Sequence, residues 1–153
     1  MAYGAWEQSI KEFTKSAEDD ADHAMRAISM DAANELIVNS AVDTGRFRKN
    51  WSAKLNSPST RAVTWAGQRG NLYDKWRWAI KFRHPMTNTE QRNLDPIYRA
   101  KLKDTVFITN NIWYAKLLES GNWSDMMPYG VLFITARRIA AKWRAKKFNI
   151  STD

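Results

Sequence analysis

Apolar or small residues recur in steps of three and four through Trp6, Ile10, Phe13, Ala17, Ala21, Ala24, Ile28, Ala32 and Leu36. That spacing lays one stripe along an α-helix. No proline interrupts the first 57 residues, and Glu18, Asp19, Asp20 and Asp22 are read as its wet side. The pattern predicts a helix over 5–40, which breaks near the acidic cluster if Ser16, Asp19 or Asp20 caps a second helix. At 1.5 Å per residue such a helix extends roughly 50 Å. One domain of 153 residues cannot cover all of it.

Periodicity stops at Val42-Asp43-Thr44-Gly45-Arg46, where the glycine can take a positive φ and turn the chain. Trp51, Ala53 and Leu55 then alternate with Ser52, Lys54 and Asn56, and Arg61 to Ala66 adds Val63 and Trp65. This predicts a hairpin of two strands joined through Asn56-Ser57-Pro58-Ser59. Residues 67–104 are the least regular and read as an insertion, with a short helix from Leu72 to Phe82 and a polar stretch containing Pro85 and Pro96. Thr105 to Thr109 is β-branched and aromatic and predicts a buried strand. Asn110 or Asn111 would cap a short helix bearing Trp113, Tyr114, Leu117 and Leu118, which stops at Gly121. After a loop to Pro128, a last amphipathic helix is predicted from Tyr129 to Lys147. Its apolar face is Leu132, Ala136, Ile139 and Trp143, and Arg137, Arg138, Lys142, Lys146 and Lys147 lie elsewhere on it. Its basic last turn suits the helix dipole. The sum is one α+β domain: a long N-terminal helix, a small mostly antiparallel sheet, a short helix and a C-terminal amphipathic helix.

Composition narrows the classes. With 44% hydrophobic and 26% charged residues the chain is of globular type, and fibrous, low-complexity and wholly disordered readings drop out. Apolar runs such as Val131 to Ile134 are far short of the roughly 18 residues of a membrane span, so no membrane role is expected. The opening residues, Met-Ala-Tyr-Gly-Ala-Trp-Glu, lack a basic segment and a long apolar one, so a cleaved secretion signal is not expected. The absence of cysteine removes disulfides, thiolate metal sites and cysteine nucleophiles. Stability must come from packing or assembly.

The net charge of +8 is unevenly placed. Residues 1–42 hold three basic against eight acidic residues, a net of −5, and residues 43–153 hold 21 against eight, a net of +13. Either the basic part meets nucleic acid, or the acidic helix of one copy lies against the basic part of another.

Candidate chemistry is sparse. Asp43-Thr44-Gly45 matches the aspartic-protease tripeptide, but a long helix precedes it and Arg46-Phe47-Arg48 follows, so a turn is the stronger reading. His23 and His84 have no ligand spacing, and Asp19, Asp20 and Asp22 read as a solvated face, so no metal is expected. Gly67 and Gly70 form no phosphate loop, and no cofactor is expected. Lys75, Trp76, Arg77, Trp78, Lys81 and Arg83 interleave cations with aromatics in the manner of a single-strand nucleic-acid platform. The favoured reading is that Trp76 and Ile80 pack inward while Lys75, Arg77 and Lys81 are solvated or meet a partner subunit, and since tryptophan and arginine are enriched at protein interfaces the segment also fits an assembly surface.

Two stretches carry a family resemblance. Val42-Asp43-Thr44-Gly45-Arg46-Phe47-Arg48-Lys49-Asn50-Trp51 resembles the Val-Asp-Thr-Gly-Arg-Leu-Arg-x-Asn/Ser-Trp motif of neck proteins of tailed bacteriophages, the head-to-tail joining or tail completion proteins. Val106-Phe107-Ile108-Thr109-Asn110-Asn111-Ile112-Trp113-Tyr114-Ala115, followed by Leu118-Glu119-Ser120-Gly121, resembles that family's second motif in order and spacing. Trp123-Ser124, Pro128 and Gly130-Val131 resemble the loop into its last helix, although Met126-Met127-Pro128 stands where Gln-Ala-Pro is common. The resemblance covers roughly 40–66 and 104–148. It implies a non-enzymatic virion protein assembled as a ring at the head-tail junction, touching adjacent connector, adaptor and tail proteins and lining the DNA channel. A tail terminator ring, or a nucleic-acid module using residues 75–83, are the alternatives. The shared residues would serve fold and assembly: Asp43, Thr44, Gly45 and Gly121 in turns, Arg46 paired with Glu119, Asn110 and Asn111 in capping, Trp51 and Tyr114 in packing, and Pro128 in the loop.

Overall fold

The computed structural model describes residues 3–40, 45–62, 86–121 and 127–146. The first helix, α1, runs unbroken over Tyr3–Val38, straight through the acidic cluster. No proline or glycine interrupts its course beyond Gly4, so caps offered by Ser16, Asp19 and Asp20 have no break to serve. Gly45, at φ 75°, turns the chain into the single-turn helix α2, Arg46–Lys49. Strand β1, Trp51–Leu55, follows at once.

The partner of β1 differs from the predicted hairpin. It pairs antiparallel with β2, Val106–Asn110, in the register Trp51 to Asn110 and Leu55 to Val106. Arg61 and Ala62 carry no strand, and residues 63–66 lie outside the described residues. Alternation fixes which side chains face one way, but it does not choose the partner. On the other edge of β1, the Ala53 N–H donates to the Asn93 carbonyl at 2.9 Å.

Asn93 belongs to a segment that sequence reading placed in an insertion. Two short helices there, α3 (Asn88–Arg92) and α4 (Asp95–Tyr98), bring Leu94, Ile97 and Ala100 into the interior with no exposure. Pro96 sits in the first turn of α4, where a missing N–H is harmless. The predicted helix from Leu72 to Phe82 lies outside the described residues.

The core gathers Ala33, Leu36 and Ile37 of α1, Phe47, Trp51, Ala53, Leu94, Ile97, Leu118, Met127 and Val131. Helix α5 spans Ala115–Glu119 and α6 spans Leu132–Arg144. The last helix therefore begins three residues later than predicted. Gly130 at φ 69° blocks helical continuation backwards, and Val131 is the cap residue. Its inner face is also rotated. Thr135 is buried and Ile139 and Trp143 are half-buried, but Leu132 and Ala136 are exposed. Polar bonds to α1 set that rotation: Trp143 Nε1 donates to Asp31 at 3.0 Å, Lys142 meets Asp31 at 2.7 Å and Arg138 meets Glu35 at 3.5 Å.

Candidate assembly surface

Of the motif residues, Asp43 and Thr44 lie outside the described residues, and so do Lys75, Trp76, Arg77, Trp78, Lys81 and Arg83. The rest fall into two clusters. Where α2 meets the sheet, Gly45 takes the left-handed conformation, and open space surrounds the position of a Cβ, so backbone conformation alone favours glycine there. Arg46 is exposed, and its carbonyl accepts from the Asn50 side chain at 2.8 Å. Trp51 is buried, edge-to-face with Phe47 at 5.7 Å, and its Nε1 donates to Ser40 Oγ at 2.7 Å. The Ser40 hydroxyl in turn donates to the Leu36 carbonyl at 2.6 Å. A single hydroxyl thus ties β1 to the end of α1.

Asn110 joins the two motif stretches directly. Its Nδ2 donates to the Phe47 carbonyl at 2.7 Å, and its Oδ1 accepts from the Ile112 N–H at 3.3 Å. The Asn111 amide donates to the carbonyls of Ser59 and Arg61. Neither asparagine caps α5, whose cap residue is Tyr114 without a side-chain bond. Two residues separate Asn111 from Tyr114, so its side chain is spent on pinning the chain that follows β1.

The second cluster closes the loop before α6. Glu119 does not pair with Arg46. Its Oε2 accepts the Val131 and Leu132 N–H groups, each at 3.0 Å, and so caps α6 from twelve residues away. A carboxylate there meets both orphan amides and the positive end of the helix. Gly121, at φ 73°, follows the end of α5, and a Cβ on it would stand 2.6 Å from the Pro128 carbonyl. A Cβ on Gly130 would meet Glu119 just as closely. Small residues at both points let the returning chain seat against α5.

Sequence reading missed one internal contact of this region. Arg48 is buried and its Nε meets Glu90 Oε1 at 2.9 Å, with both side chains at or below 3% exposure. Glu90 also accepts the Thr87 N–H at 2.6 Å and the Thr87 hydroxyl at 3.0 Å, closing a capping box on α3. Thr87-x-x-Glu90 was legible as a helix start. The pairing with Arg48, 42 positions away, was not.

What faces outward is more telling. Every described side chain over 4–20 of α1 is exposed, including Trp6 at 69%, Ile10 at 44% and Phe13 at 60%. Among the described residues, polar bonds on this arm run only to its own helix, as Lys11 to Glu7 at 2.9 Å and Gln8 to Glu12 at 3.1 Å. From Asp22 onward the helix is held by the fold. Arg26 Nε donates to the Ala100 carbonyl at 2.7 Å, and Asp22 accepts from Arg26 and from the Leu102 N–H. A second apolar surface lies at the start of α6, where Tyr129 and Phe133 are 75% and 65% exposed. They flank a cleft shared with Ser120, Pro128, Ile134 and Arg137. The Arg137 guanidinium stands over the Phe133 ring at 5.6 Å.

Among the described residues, no group of histidine, aspartate and glutamate is disposed to hold a metal. No described helix is long and apolar enough to cross a membrane. A large exposed apolar face of this kind marks an interaction surface.

Residues 5–121 match a protein-family model described as "Bacteriophage HK97-gp10, putative tail-component". No curated protein and no solved structure matches the chain.

Proposed function

Since the chain belongs to the HK97-gp10-like family of bacteriophage tail components, a structural protein of the virion, we propose that it forms a multimeric ring at the head-tail junction. There it would join the portal-connector complex to the tail around the DNA channel, without catalysis. The observation that carries this reading is the arm of α1: three large apolar side chains on one face, all exposed and without cover among the described residues. Apolar surface of that extent is stabilised by burial. The charge imbalance favours another copy as the cover, because a segment of net −5 is joined to a remainder of net +13. A contact between two different patches repeats head to tail and closes into a ring when the rotation allows. Basic residues left over could face DNA in the channel, holding phosphates without reading sequence.

A tail terminator ring uses the same assembly at a neighbouring position. The nucleic-acid module built on residues 75–83 stands apart from both. Light scattering at two salt concentrations, with and without short DNA, separates them. The ring reading expects a discrete multimer whose mass ignores DNA. A monomer that binds DNA at low salt and releases it at high salt would transfer the assignment to the nucleic-acid module.

A further inference from the structure

We infer that the α1 arm of one copy seats on the Tyr129–Arg137 face of a second copy, placing Trp6, Ile10 and Phe13 against Tyr129 and Phe133 and setting Asp20 toward Arg137. The inference rests on the multimeric reading above and names the two surfaces that meet.

Each surface is apolar first and charged afterwards, with opposite signs. On the arm, Trp6, Ile10 and Phe13 share a face, and Asp20 follows Phe13 by two helical turns, bordering the stripe. Glu18 and Asp19 precede it on other faces of the helix, and none of these three acids makes an ion pair among the described residues. On the other surface, Tyr129 and Phe133 stand at the cleft, and Arg137 lies one turn after Phe133. Residues 127–146 contain five cations, Arg137, Arg138, Lys142, Arg144 and Lys146, and no acid. Arg138 and Lys142 are engaged by Glu35 and Asp31 of the same chain, on the inner side of α6. Arg137 points the other way, toward the cleft.

Within one copy the two surfaces do not meet. The covered part of α1 runs beside α6 through Asp31 and Glu35, and the arm begins beyond Asp22, more than two turns further on. The 17 residues over 4–20 reach about 25 Å at 1.5 Å per residue, which carries the stripe clear of its own fold. A second copy supplies the apolar cover that the described residues do not give the arm, and a cation at the end of that cover. Since the two patches differ, the contact is heterologous and repeats from copy to copy.

The test uses the full chain with a photoreactive benzoylphenylalanine in place of Phe13, irradiated and mapped by mass spectrometry, beside light scattering of the same samples. Crosslinks between copies to the Tyr129–Arg137 segment are expected. Charge exchange is the second arm. Asp20→Arg and Arg137→Asp should each weaken self-association on the order of tenfold, because like charges replace an opposed pair. The double variant should recover most of that loss. A multimer whose crosslinks fall elsewhere, or a double variant no better than the singles, overturns this contact and leaves the ring standing. A chain that stays monomeric at every concentration overturns both. All substituted side chains on the arm are exposed, and circular dichroism of each variant checks that it folds.

Discussion

The two halves of α1 carry one continuous apolar periodicity and end in opposite environments. In the half nearer its C-terminus, Ala33 and Ile37 are wholly buried and Leu36 nearly so. In the other half nothing described is covered, aromatic side chains included. Polar bonding divides at the same place. Asp22, Arg26, Asp31 and Glu35 bond across to distant segments, whereas Glu7, Gln8, Lys11 and Glu12 bond only one turn away. A hydrophobic stripe says that a face will be buried, and it says nothing of which molecule buries it. The covered half belongs to the stability of the chain. The uncovered half is the part that the proposed association would cover.

The sharpest way to break that division is to remove a deep contact of the covered region. Glu90→Ala removes the carboxylate that meets the Arg48 guanidinium where both side chains are almost fully enclosed. Loss of one member of a buried pair costs about 3–5 kcal/mol. Urea denaturation should show that loss, and a variant of wild-type stability would mean that the carboxylate of Glu90 adds nothing to what else holds Arg48.

A paired comparison within α1 comes next. Ile37→Ala should cost about 2–5 kcal/mol, since a fully buried branched side chain leaves a cavity. Phe13→Ala, on the same periodic stripe, should change monomer stability by no more than about 0.5 kcal/mol. Its effect should appear instead in self-association, which loses a large aromatic anchor. If Phe13→Ala unfolds the monomer at high dilution, the uncovered half of α1 also holds the fold together.

Smaller again is the hydroxyl that joins the covered half to the sheet. Ser40→Ala removes the acceptor of Trp51 Nε1 and leaves a buried donor unsatisfied. The expected cost is about 1–3 kcal/mol. Ser40→Thr, which keeps the oxygen, should lose less, and equal losses in the two variants would assign the effect to packing.

How far this was legible depended on the range of each interaction. Helix α1 and β1 could be read from their periods, β2 from its β-branched and aromatic residues, and Gly121 as a left-handed stop because glycine alone is at ease there. These are signals within a few residues. Pairing of β1 with β2 was not legible, because Val63 and Trp65 offered an equally alternating neighbour closer in sequence. The roles of Leu94 and Ile97 were hidden by a polar, proline-containing context, and only the Thr87 and Glu90 pair announced a helix there. Glu119 shows the same limit at the site. Its charge suggested a cation, and the fold instead gave it two backbone amides that no side-chain pattern displays.

The faintest expected effect sits at the far end of the sheet, away from both halves of α1. Asn56, left-handed at φ 60°, donates from Nδ2 to Asp104 Oδ1 at 2.9 Å, and Asp104 also accepts the Lys101 N–H at 2.9 Å. The Asn56 amide, then the backbone bond from Lys101, hold the Asp104 carboxyl below its ordinary value of 3.8. A carboxylate whose folded value is depressed contributes stability that is present above the ordinary value and is lost as pH falls through the folded one. Asp104→Asn removes the charge that both donors favour. The gap in denaturation midpoint between wild type and variant should therefore be present at neutral pH and close as the pH drops below the ordinary aspartate range. The group is exposed and screened, so the gap should be the smallest of the four. A gap that does not change with pH would mean that the carboxylate's charge adds nothing beyond the shape of the turn. In that case the sheet is closed by Asn56 alone, through its bonds to the Thr105 N–H and carbonyl at 2.9 and 2.8 Å.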